Sequence, residues 1–172
     1  LGRAQLNVAS FGDANVTMTN GSQLTISSTA TSGDTNINVG IGGTGIFTAT
    51  DSTIDMTVTG NNVNADAIIT IGGTSTTGSA ATDGQMTLTN TTLNMTATAG
   101  GDVFIGVGRT GGSGSLTVDG GSTVNLSTIA GASRSFVNVG RNNATGTMTV
   151  TGIGTTVTME DFVTIGREAG GD

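Results

Sequence analysis

Cysteine, proline, histidine, tryptophan, tyrosine and lysine are all missing from the 172 residues. Each absence closes off a class of chemistry. Without cysteine or histidine there is no disulfide framework, no thiolate zinc site, no Ser/His or Cys/His nucleophile and no imidazole proton shuttle. The only cations are five arginines, against twelve acids and a net charge of −7. So few positive groups cannot neutralise a run of phosphates, which sets nucleic acid aside as a partner. No apolar run nears the ~20 residues of a membrane-spanning helix, so insertion of this segment is not expected.

What is present is glycine (30 residues), threonine (35) and asparagine (14), all weak helix formers. Charged residues make up only 10 % and mean hydropathy is +0.12, too apolar for a disordered chain. β-Branched residues recur in short alternating runs, the signature of half-buried strands.

The runs repeat. TNINVG (Thr35 to Gly40) returns as AIITIG ending at Gly72, VFIGVG at Gly108, SFVNVG at Gly140 and DFVTIG at Gly166. An eroded copy, QLNVA, ends at Ala9 in the glycine's place. Each repeat carries a second alternation, such as Met86-Thr-Leu88, and a third, such as Leu93/Met95. One repeat holds about six inward side chains, too few for a core, whereas stacked repeats share one. The expectation is an all-β chain: a parallel β-solenoid of three short strands per coil, about five to six coils of 26–36 residues, forming one domain over 1–172. A β-sandwich is the rival reading. Both ends of the chain lack a capping element, so either a longer rod or end-to-end stacking of copies is expected.

Stacking would turn equivalent positions into columns. Asp34, Asp66 and Asp102 stand six residues before successive repeat glycines, in a column with Arg3, Arg134 and Glu160. Neighbouring carboxylates repel, and a Ca²⁺ ladder would relieve that; the plainer alternative is an Asx-type turn in solvent. Arg109, Arg141 and Arg167 each follow the repeat glycine, a row suited to an acidic glycan or a neighbour's carboxylates. Phe104, Phe136 and Phe162, preceded by Ile68, fall on the outer face if alternation holds; an exposed aromatic stripe would serve lateral association. Thr17, Thr48, Thr87, Thr117 and Thr149 form an outward column, with Thr19, Thr50, Thr89 and Thr151 beside it and Asp119 interrupting. This grid resembles the ice-binding face of some β-solenoid antifreeze proteins, although threonine also suits any solvent-facing strand. Asp51 and Asp55 have the spacing of a glycosidase carboxylate pair, but no aromatic sugar platform accompanies them, so no catalysis is expected.

The stretch Asn138 to Glu168, NVGRNNATGTMTVTGIGTTVTMEDFVTIGRE, resembles the glycine- and threonine-rich passenger repeats of bacterial autotransporter adhesins, and Val107 to Leu126 matches about as well. The resemblance implies a β-helical rod displayed on the cell surface. The expectation is therefore an extracellular, non-enzymatic rod, with self-association end to end or laterally and possible contact with host or matrix glycan; ice or glycan binding is the alternative.

Overall fold

The computed structural model describes residues 2–30, 33–59, 65–73, 82–98, 100–129 and 133–166. Among the described residues sixteen strands, numbered in chain order, form three parallel sheets. The first sheet stacks β1 (Ala4–Val8), β4 (Thr35–Val39), β7 (Ala67–Gly73), β10 (Val103–Arg109), β13 (Ser135–Arg141) and β16 (Phe162–Ile165). The second stacks β2 (Ala14–Met18), β5 (Thr44–Thr50), β8 (Asp83–Thr89), β11 (Ser113–Asp119) and β14 (Thr145–Val150). The third stacks β3 (Gln23–Ser28), β6 (Thr53–Val58), β9 (Thr92–Ala97), β12 (Thr123–Thr128) and β15 (Thr156–Thr158). Every strand pairs with its counterpart one repeat away and none with its sequence neighbour, which is a β-solenoid and not a sandwich.

Register explains the repeat. Ile37, Ile69, Ile105 and Val137 occupy one column of the first sheet, and Val39, Ile71, Val107 and Val139 the next. Phe47, Met86 and Leu116 stack in the second sheet, and Ile54, Leu93 and Val124 in the third. These residues are essentially inaccessible to water, apart from Val139 at 7 %. A one-residue slip in any strand would turn its apolar set outward, so the shared core locks the register.

The corner between the first and second sheets is built on the repeat glycines. Gly40, Gly72, Gly108 and Gly140 all have φ between +64° and +70°. Ala9 takes the same conformation, φ 64°, with a Cβ that the left-handed region penalises. Ala9→Gly is therefore expected to stabilise the chain by about 1 kcal/mol, the steric gain exceeding the added chain entropy. Thermal unfolding should show the midpoint rising by roughly 2–4 °C.

The corner between the second and third sheets uses other chemistry. Asn20, Asp51 and Asn90 carry positive φ there, as does Gly120. Buried hydroxyls one or two residues on satisfy the bend: Ser52 donates to Thr50 O at 2.7 Å, Thr91 to Ala49 O at 3.1 Å and Ser122 to Leu88 O at 3.1 Å. Among the described residues no helix is long and apolar enough to cross a membrane.

Candidate functional site: the side-chain columns

The aspartates form a ladder at the entry to the first sheet, where the chain turns in from the third. Asp34 Oδ1 accepts the Asp66 amide at 3.2 Å, Asp66 Oδ1 accepts the Asp102 amide at 2.8 Å, and Asp102 Oδ1 accepts the Arg134 amide at 2.9 Å. Each carboxylate thus caps the strand entry of the following coil. Arginines close the row at both ends, Arg3 on Asp34 at 3.1 Å and Arg134 on Asp102 at 3.2 Å. Glu160 leaves the row, accepting from Thr128 Oγ1 at 2.8 Å instead. The calcium-ladder expectation rests on Asp34, Asp66 and Asp102. One oxygen of each is committed to a backbone amide, and among the described residues no three acidic side chains gather to hold a metal ion.

Asp66, flanked by carboxylates on both sides, is held above the ordinary carboxylate pKa. Burial is the main cause; Asp102 and Asp34 add repulsion, partly offset by the Asp102 amide and Arg134. A raised folded-state value contributes stability below the ordinary pKa and loses it as pH climbs through the folded value. Asp66→Asn keeps an acceptor for the Asp102 amide and removes the charge. The variant should melt above the parent at neutral pH, and the gap should close on acidification below the carboxylate range. Parallel melting curves across pH would show that Asp66 ionisation costs the fold nothing.

The phenylalanines do stack, in register, on the outer face of the first sheet. Ring centroids lie 5.1 Å apart for Phe104–Phe136 and for Phe136–Phe162, with planes inclined by 3° and 16°. They stand outside the core cluster, and Ile68 extends the column below Phe104. Their exposure differs from expectation: Phe104 is 9 % and Phe136 7 % accessible, while Phe162 reaches 36 %. Part of the covering comes from arginine. The Arg109 guanidinium carbon sits 5.5 Å from the Phe104 ring centre, and that of Arg134 sits 5.7 Å from Phe136. Cation–π contact and stacking use faces that an open stripe would have shown to a partner.

Within the expected arginine row, Arg109 is engaged by the phenylalanine column. Arg109 and Arg141 are register partners, and Arg109 folds back over Phe104. Burial, then repulsion from Arg141, lowers the Arg109 pKa from its ordinary value. Among the described residues only Arg3 and Arg134 form ion pairs. Arg167 lies outside the described residues.

Thr17, Thr48, Thr87, Thr117 and Thr149 pair position by position across the second sheet. Thr50 and Thr89 pair in the next column and Asp119 interrupts it. The third sheet has threonine columns too, with Thr53, Thr92, Thr123 and Thr156 in register. Asp51 and Asp55 are taken up by amides: Asp51 Oδ1 accepts from Asn90 at 2.6 Å, and Asp55 accepts from Asn94 at 2.9 Å and Gln23 at 3.2 Å.

Three features escape a reading of residue classes. A second glycine column, Gly45, Gly84, Gly114 and Gly146, faces the repeat glycines across the first corner. The signal was available as a glycine at the second position of each of β5, β8, β11 and β14. The corner hydroxyls Ser52, Thr91 and Ser122 are the second, and the pairing of Arg3 and Arg134 with the aspartate row is the third.

No known protein family, curated protein or solved structure matches this chain.

Proposed function

We propose that the chain is an extracellular, non-enzymatic structural rod, part of a bacterial surface adhesin or of a self-assembling surface filament. The observation that carries this reading is how the columns are used. Aspartate, asparagine and phenylalanine side chains direct their polar atoms and rings to the equivalent position one coil away. A catalytic or ligand site needs groups converging on a third molecule. These groups run along the stack and hold one coil to the next. The likeness to autotransporter passenger repeats supports display at the cell surface.

Antibody raised against the folded chain tests the location. Binding to intact source cells before permeabilisation is expected. Binding that requires permeabilisation would overturn the surface assignment.

The unbroken register of Thr17, Thr48, Thr87, Thr117 and Thr149 favours a second reading, ice binding on the second sheet. Under it, the purified chain shows thermal hysteresis and Thr87→Tyr abolishes it. Absence of hysteresis in the parent removes that reading and leaves the rod.

A further inference from the structure

Six Asn-x-Ser/Thr triplets begin at Asn15, Asn20, Asn90, Asn94, Asn125 and Asn143. In such a triplet the asparagine amide nitrogen is the acceptor for an N-linked sugar. The structure sorts the six by what that nitrogen already does. Nδ2 of Asn90 donates to Asp51 Oδ1 at 2.6 Å, that of Asn94 to Asp55 Oδ1 at 2.9 Å, and that of Asn125 to Asn94 Oδ1 at 3.0 Å. A sugar on any of these would cut a link between coils. Asn15 is exposed, but its triplet lies inside β2, whose backbone is in register with β5 from Ala14 to Met18. A transferase cleft would have to peel that whole triplet away, whereas of the Asn143 triplet only Thr145 lies in a strand, in register with Ser113.

Asn20 and Asn143 differ from the other four. Both side chains are exposed, and both residues sit in bends with φ of 56° and 57°; Asn90 shares exposure and a positive φ of 46° and is set apart by its bond to Asp51. Asn20 lies between β2 and β3, and its Nδ2 makes one long contact of 3.4 Å, to the adjacent Thr19 Oγ1. Asn143 lies between β13 and β14. The residues completing the triplets, Ser22 and Thr145, are exposed as well, the Ser22 hydroxyl donating to Thr19 O within the same turn.

We propose that Asn20 and Asn143 are N-glycosylation sites, modified on the folded chain by a transferase that reads the triplet. The donor is a sugar activated as a pyrophosphate ester. A bond forms between Nδ2 and the anomeric carbon, and the bond from that carbon to the pyrophosphate oxygen breaks. The pyrophosphate carrier leaves with the electron pair, and the amide nitrogen gives up one proton to solvent. A nucleoside or a lipid carrier presents the same activated carbon. The assignment holds whether or not the rod is an adhesin.

Peptide mass spectrometry on the chain from its source cells tests it, with unmodified recombinant chain as the blank. Sugar is expected on the Asn20 and Asn143 peptides, with none at Asn15, Asn90, Asn94 or Asn125. Ser22→Ala and Thr145→Ala, which retain both asparagines, should each abolish the sugar at their own triplet. Circular dichroism melts of these variants check that folding is intact. An unmodified Asn20 or Asn143 in the source chain overturns the assignment of that residue, and sugar on Asn15, Asn90, Asn94 or Asn125 overturns the sorting principle. Transfer by a soluble extract supplied with a sugar nucleotide identifies the nucleoside carrier; a requirement for membranes identifies the lipid one.

Discussion

Gly72→Ala should be among the most damaging single changes in the chain, costing on the order of 2–5 kcal/mol from backbone strain plus overpacking. Gly72 has φ +64°, a region where an alanine is penalised by ~1–2 kcal/mol. A Cβ there would also drive into the Ser113 carbonyl of the next coil, against backbone that no rotamer change can move. Two other glycines separate the causes. Gly111 has φ +78° with open space around a built Cβ, so Gly111→Ala should cost the conformational part alone, about 1 kcal/mol. Gly106 has no positive φ, and its built Cβ would meet nothing closer than the Arg109 Cδ at 3.8 Å, so Gly106→Ala should be near neutral. Denaturant titration of the three variants should rank them in that order. Equal losses would mean that close backbone approach at the corner is not what the repeat glycine serves.

Phe47→Ala should cost about 3–5 kcal/mol, the usual toll for emptying a buried aromatic position. Phe47 is 0 % accessible and stacks against Met86 of the next coil. Phe47 belongs to one continuous core cluster with inward side chains of the first and third sheets, such as Val39 and Ile54, so its loss empties the shared interior. With ~5–15 kcal/mol typical of a whole domain, the loss would take a large share of the stability. Phe11→Ala is the matched control, being 99 % accessible, and should leave the melting curve within about 0.5 kcal/mol of the parent. A mild Phe47→Ala phenotype would indicate an interior that repacks freely.

The solenoid was legible because a parallel stack copies its constraints from coil to coil. Ile69, Ile105 and Val137 repeat in sequence for the same reason that they touch in space. The column contents were legible too: Asp34–Asp66–Asp102, the phenylalanines and the threonines all emerge in register. Orientation within a column was not. Residue type does not say whether an aspartate turns to solvent, a cation or the next amide; the strand entry geometry decides that for Asp66. Burial of Phe104 and Phe136 depends in part on two arginines whose guanidinium groups lie over the rings, a choice of rotamer and not of composition. The left-handed conformation of Ala9 was marked by its place in the glycine column, and only the backbone shows that the strain is retained.

The proposal that this chain is architecture displayed outside a cell is tested most directly by electron microscopy of intact source cells with gold-labelled antibody to the folded chain. The account predicts gold outside the envelope, along slender projections. Gold confined to the cell interior would contradict it.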